Sequence, residues 1–220
     1  MNEKKIPVPY ITARVGEEAD VFLSLRATFG SAGIARLGYW DETRDDRDVR
    51  GVLWGRVSQS IGEEGLPAGD PRWGLVHPAR QRETMLGLRC QVCVGDARRP
   101  EGILFLESAQ NGMPATGAPV RTAQPPVCLR HARLSAKRCD HLADHGHIAF
   151  LAQSAPLYGV IGTPYAYTHS GLEALESDDT PVPYGAPALR WFLASQLVRT
   201  LRAFTVVDLD DLVLPLAPAV

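Results

Sequence analysis

Four residues constrain this chain more than any others. Cys90-Gln91-Val92-Cys93 is followed, after 34 intervening residues, by Cys128-Leu129-Arg130-His131. The first pair has the spacing of a zinc knuckle, a tight turn that aims two thiolates at one point. The run from Leu129 to Arg138 reads as a helix, and positions i and i+3 of a helix share a face, so Cys128 and His131 can meet the same ion. Zn²⁺ takes four tetrahedral nitrogen or sulfur ligands, and three cysteines with one histidine form a standard closed set. The alternative is that the cysteines are buried and act as small apolar side chains, which leaves the doubled spacing unexplained. A knuckle followed by two ligands in the first turn of a helix is the layout of a treble clef, and a structural zinc at Cys90, Cys93, Cys128 and His131 is the expectation. Cys139 and His141 lie close enough in sequence to replace His131. Spacing alone does not choose among them.

The rest of the composition is that of an ordinary globular protein. Of 220 residues, 45% are hydrophobic and 22% charged, and the formal net charge is −2. That length allows one large domain or two small ones with a core independent of metal. A net charge of −2 gives no overall attraction to nucleic acid, so any such contact must come from a local patch. No apolar run is long enough to span a bilayer, and the first residues lack the apolar core of a signal peptide. The sequence therefore points to a cytoplasmic protein with no membrane partner, whose thiols stay reduced and available to metal.

Several elements can be placed from pattern. Ile6 to Ile11 is extended, because each proline disfavours helix in the residue before it. Val21 to Arg26 reads as a strand, with a short helix as the alternative, and Val52 to Trp54 with Val57 as another strand. The sign-alternating stretch Asp41 to Asp48 reads as a solvated loop, and Ile61 to Asp70 as a Gly/Pro-rich loop. His77-Pro78 opens a helix through Leu88, with proline at a tolerated first-turn position. Gly102 to Glu107 is the clearest strand, and Pro125-Pro126 stiffens the approach to Cys128. Ile148 to Val160 is mixed apolar and turn-like, and 176–187 is an acidic, Pro-rich loop. Ala188 to Ala203 carries Leu189, Phe192, Leu193, Leu197, Val198 and Leu201 at helical spacing and is expected to be the best helix. Phe204 to Leu209 follows as a strand.

Chemistry is sparse outside the Cys/His set. Arg130, Arg133 and Lys137 form a basic stripe on the helix after Cys128, with Arg138 beside it. Such a stripe can grip phosphates, and a solvated helix face explains it equally well. No phosphate-binding glycine loop, nucleophile elbow or zinc-protease helix is present. A His-Asn-His-type treble-clef endonuclease is the enzyme alternative. It needs a general-base histidine on the hairpin strand after the knuckle, and Gly102 to Glu107 contains none. No catalytic residue is assigned. The histidines from His141 to His147 read as surface residues rather than as a second metal site.

The chain resembles zinc-finger-like proteins of actinomycete bacteria and their phages. The resemblance rests on Asp45 to Trp54, His77 to Arg82, Cys90 to Cys93, Pro126 to Ser135, Ala194 to Arg199 and Val206 to Asp210. In that family the second ligand pair is often Cys-x-x-Cys, where this chain has His131. The resemblance implies a fold and a metal but no activity. Together these readings give an α+β fold built around a treble-clef-like zinc site, with a C-terminal helix and strand packed on it. Residues 1–75 would form a β-rich region, 76–150 the zinc-binding region and 151–220 a C-terminal α/β region, all packed as one compact unit. The expected function is that of a zinc-binding regulatory or accessory protein whose partner is DNA or a DNA-bound protein. A recombinase redirected by a phage-type directionality factor is the specific case. Arg130, Arg133, Lys137 and Arg138 would be the contact residues.

Overall fold

The computed structural model describes residues 7–20, 24–29, 33–113 and 118–213. It is a mixed α+β structure, mostly strands with few helices. In chain order the first elements are β1 (Thr12–Arg14), β2 (Leu25–Phe29), β3 (Ala35–Tyr39), β4 (Leu53–Trp54), β5 (Pro71–Val76) and α1 (Pro78–Gly87). Next come β6 (Arg98–Arg99), β7 (Gly102–Ser108), β8 (Val120–Thr122), α2 (Leu129–Arg138) and α3 (Asp140–His145). The last are β9 (His147–Ser154), β10 (Leu157–Thr168), β11 (Gly171–Ala174), β12 (Val182–Pro183) and β13 (Phe192–Val207). None of the described helices is long and apolar enough to cross a membrane.

The chain divides into two compact units, each assembled from separated segments. One unit comprises Met1–Tyr10, Glu83–Pro156 and Arg199–Val220, and the other Ile11–Arg82 and Leu157–Val198, taken over their described residues.

The first unit is organised by β7 and β9, which run antiparallel from Ile103↔Ala152 to Ser108↔His147. The later part of β13 pairs β9 on its other side, from Arg202↔Ser154 to Val207↔Ala149. Successive side chains of a strand point to opposite faces, and here both faces are covered. Leu104, Leu106, Ala149 and Leu151 join Leu129 and Ala132 of α2 in one core cluster. Ile103, Phe105, Ile148, Phe150 and Ala152 form a second cluster with Leu201. Arg199, buried on β13, donates to the carbonyls of Met85, at 2.7 and 3.0 Å, and of Ala155. Its guanidinium thereby satisfies a carbonyl in the last turn of α1 that has no partner within the helix.

The second unit holds the hairpin β2–β3, the pair β1–β5, and β10 with β11 and β12 on its flanks. The first part of β13 lies beside β10 and takes β4 in parallel at Leu193↔Leu53 and Ala194↔Trp54. At Leu197 a side chain stands in for a strand. Gln81 Nε2 donates to Leu197 O, and Leu197 N donates to Gln81 Oε1, both at 2.9 Å. The charged stretch expected as a solvated loop is braced instead. Arg56 donates to both oxygens of the buried Asp46 at 2.7 Å, and Arg47 donates to both oxygens of Glu42 at 2.8 Å.

The helix expected over Ala188 to Ala203 does not form. Residues Pro187–Trp191 make a 3-10 turn, and Phe192–Val207 are one strand of 16 residues. The C-terminal region is therefore not α/β, and no α-helix follows His145 among the described residues. Its apolar residues fit a helical period because β13 is buried on both faces between Phe192 and Leu201. A strand covered on both faces shows runs of buried residues, here Phe192–Ala194 and Leu197–Arg199, rather than alternation. Ile148 to Val160, read as turn-like, belongs to β9 and β10. Of the strand expected at Val21 to Arg26, the first three residues lie outside the described ones, and the strand starts at Leu25. The helix from His77-Pro78, the strand at Gly102 and the helix over Leu129–Arg138 are where the sequence put them.

Two substitutions test this packing. A Cβ at Gly162 of β10 would stand 2.1 Å from Leu193 O and 2.8 Å from Ala194 Cα. Gly162→Ala is therefore expected to lower stability by about 1–3 kcal/mol in urea unfolding, because backbone cannot yield as a flexible side chain can. Glu17 and Arg80 are 3% and 1% exposed, and Arg80 donates to both Glu17 oxygens at 2.6 and 2.8 Å. Burial alone would raise the Glu17 carboxyl, but the bonds from Arg80 and from the backbone N–H groups of Arg14 and Ser60 outweigh it and hold it at about 2. Glu17→Ala removes the carboxylate that takes two bonds from this buried guanidinium and is expected to cost about 3–5 kcal/mol. A depressed carboxyl stabilises above its ordinary value near 4.5 and loses that contribution as pH falls toward 2. The variant should accordingly show a shallower decline in stability over that acid range than the parent.

Candidate metal centre

The knuckle is set by backbone hydrogen bonds. Cys90 N donates to Gly95 O at 2.7 Å, and Val94 N donates to Cys90 O at 2.8 Å, with Val94 in the left-handed region at φ 62°. Two further bonds fix the approach to the second ligand pair, one from the knuckle and one to β7. Gln91 N donates to Pro126 O, and Val127 N donates to Leu104 O of β7, both at 2.9 Å. Pro126 and Val127, both buried, then deliver the chain to Cys128. Cys128 is the N-cap of α2 and its carbonyl accepts from Ala132 N at 2.8 Å, so His131 lies within the first turn. Leu129 and Ala132 seat that helix on the core cluster that also contains Cys90.

Cys90, Cys93, Cys128 and His131 converge, with one ligand atom from each lying within 4.8 Å of the others. His131 Nδ1 is 3.2 Å from Cys128 Sγ and 3.8 Å from Cys90 Sγ. Metal–sulfur bonds of about 2.3 Å and metal–nitrogen bonds of about 2.0–2.1 Å place tetrahedral ligand atoms roughly 3.5–3.8 Å apart. The set could therefore hold a metal ion with small adjustments. All four cysteines are free thiols; Cys90 is buried and Cys93 exposed. A hydrogen bond to the Cys128 sulfur, and then burial, push the Cys90 thiol up to about 12. The same bond brings Cys128 down to about 7, and burial raises Cys93. Without metal the cluster thus keeps protons on Cys90 and Cys93 at neutral pH.

Cys139 and His141, the alternatives to His131, are not part of the cluster. Cys139 closes α2 and opens α3, and the His141 ring meets His145 edge-on at 4.9 Å between centroids. The basic stripe divides into two kinds of residue. Arg133 is half-buried and donates to the carbonyls of Leu209, at 2.8 and 3.0 Å, and Leu212, at 2.6 Å. It fastens the turn after β13 to α2, a role that sequence spacing gave no sign of, since its partners lie more than seventy positions away. Arg130, Lys137 and Arg138 are exposed and meet no carboxylate among the described residues. β7 carries no histidine, and His77 is 0% exposed with Nε2 donating to Ser58 O at 3.2 Å. Comparison with known protein families, with curated proteins and with solved structures finds no match for the chain.

Titration of the metal-free chain with Co²⁺ should give tetrahedral d–d bands with sulfur-to-metal charge transfer. Cys90→Ser should abolish them, and Cys139→Ser should leave them unchanged. Binding must displace the protons on Cys90 and Cys93, so a weakly buffered solution should acidify. Affinity should fall as pH drops, more steeply below about 7, where Cys128 also holds a proton.

Proposed function

We propose that the chain is a non-enzymatic accessory protein. In it one structural Zn²⁺, held by Cys90, Cys93, Cys128 and His131, fixes a treble-clef-like element that presents a basic helix to DNA or to a DNA-bound protein. The observation carrying this reading is the juxtaposition on α2. Its first turn supplies two of the four convergent ligands, and its exposed surface carries Arg130, Lys137 and Arg138 without carboxylate partners. Three thiols and an imidazole match the donor preference of zinc, and four protein ligands leave no position for a substrate. Metal binding would cross-link the knuckle to α2 over the intervening 34 residues and so contribute directly to folding.

The partner reading follows from charge. Three exposed cations on a chain of net charge −2 give weak footing for independent DNA affinity. A protein already bound to DNA, such as a recombinase redirected by a directionality factor, is the favoured partner. The kinship with actinomycete and phage zinc-finger-like proteins belongs to this proposal. Against the endonuclease stand the absence of histidine from β7 and the burial of His77, which keeps its imidazole from solvent.

Metal analysis of the purified chain should return about one zinc per molecule. If DNA is the partner, Arg130→Ala, Lys137→Ala and Arg138→Ala together should weaken binding. They should also reduce the slope of log affinity against log salt by roughly 2–3. Zinc content should not change. Arg133 is left in place because its removal would release the C-terminal turn. If a protein partner is captured, the same triple variant should lose it. Unaltered binding in both assays would reduce the stripe to a solvated helix face.

A further inference from the structure

The second unit contains a cavity of about 420 Å³ that the metal-centre reading does not use. Four arginines line it: Arg36 on β3, Arg47 and Arg50 in the loop before β4, and Arg190 in the 3-10 turn before β13. Ile34, Val52, Pro187 and Leu189 supply an apolar wall. A volume of this size falls within the range of small-molecule pockets, and an apolar lining with a few convergent polar groups is their usual make-up.

The arginines are not equivalent. Arg47 is held on every side, by both oxygens of Glu42, by Leu37 O at 2.6 Å and by Gly51 O at 2.9 Å. Arg36 shares Glu42 through one bond of 3.1 Å, and its buried Nε has no hydrogen-bond partner among the described residues. The Arg50 guanidinium meets no carboxylate among the described residues and lies over the Tyr184 ring, 4.5 Å from the centroid. Among the described residues Arg190 has only Pro187 O, at 3.5 Å. The loop that carries Arg50 is fixed by Asp48, which accepts from Arg50 N at 2.9 Å, Val52 N at 3.1 Å and the Tyr184 hydroxyl at 2.8 Å. Glu42 and Asp48 bring two negative charges to the four guanidiniums, so two positive charges remain uncompensated among the residues that line and brace the cavity. Such an excess, in a chain whose overall charge is negative, calls for an anion.

We propose that this cavity binds a small phosphate monoester, its dianion taken by Arg36, Arg50 and Arg190 and its organic part laid against the apolar wall. A monoester phosphate carries about 1.5–2 negative charges near neutral pH, which matches the local excess. Guanidinium forks bind phosphate oxygens in pairs. Arg47 positions Glu42 and the loop and holds the field in place. The site lies in the other unit from the Cys/His cluster and does not depend on the zinc reading.

Calorimetric titration of the full chain with phenyl phosphate at about 0.15 M salt tests the assignment. A Kd tighter than about 1 mM is expected. Arg50→Gln with Arg190→Gln should weaken it at least about tenfold. Both side chains are exposed, so circular dichroism and Tm should be unaffected. Succinate, a dianion of similar size without phosphate geometry, should bind more weakly, as should a short phosphodiester oligonucleotide lacking terminal phosphates. No heat up to about 10 mM ligand would overturn the proposal. Equal affinity in the double variant, or a preference for succinate or for the oligonucleotide, would overturn it too.

Discussion

Strand β13 imposes the condition that the rest of the structure meets. Its backbone, most deeply buried between Phe192 and Leu201, carries N–H and carbonyl groups that cannot be left without partners away from water. Each stretch finds a different solution. β10 and the parallel β4 serve its beginning, β8 its middle from Arg199↔Thr122 to Leu201↔Val120, and β9 its end. At Leu197 the Gln81 amide supplies one donor and one acceptor with the geometry of a peptide. Short strands such as β4 and β8, which would not persist alone, exist because β13 offers them a ladder.

Buried arginines are the second recurring device, and each is neutralised or saturated in its own way. Arg80 has a carboxylate, Arg199 has carbonyls of α1, and Arg133 has carbonyls of the C-terminal turn. Arg199 has no acid near it among the described residues, and burial lowers its pKa to about 10, which still leaves it charged at neutral pH. A guanidinium suits these places because its five donors diverge in one plane and can gather several acceptors. Where acceptors run short, as around Arg36, Arg50 and Arg190, the surplus becomes a candidate for binding rather than for stability.

The Cys/His cluster was legible in the sequence to an unusual degree. Ligand spacing is a local property: a knuckle needs only the turn from Cys90 to Gly95, and two ligands in the first turn of a helix need only helical geometry. The convergence of the two halves follows from one further step, the backbone ties from Gln91 to Pro126 and from Val127 to Leu104. The arginine-lined cavity was not legible. Its residues come from positions 34–52 and 185–190, and what joins them is pairing that neighbours in sequence do not encode. The stretch Asp41 to Asp48 looked like a solvated loop because alternating charge carries no mark of its partners, Arg36 and Arg56, which lie outside it.

By itself, then, the sequence determined the elements whose causes are local: α1 behind its proline, α2 behind its cysteine, the knuckle, and β7 with its run of β-formers. It also determined which four side chains would meet. Tertiary structure alone decided the C-terminal third. Leu189, Phe192, Leu193, Leu197, Val198 and Leu201 satisfy a helical period and a doubly buried strand alike, and nothing within that segment separates the two. The choice fell to β9 and β10, whose unpaired edges gain a full ladder from a strand and nothing from a helix. Close approach at Gly162 lets β10 lie against Leu193 and Ala194. Pairing with distant segments outweighed local propensity because each backbone group removed from water had to be bonded to something, and only the extended form let neighbours on both sides do it.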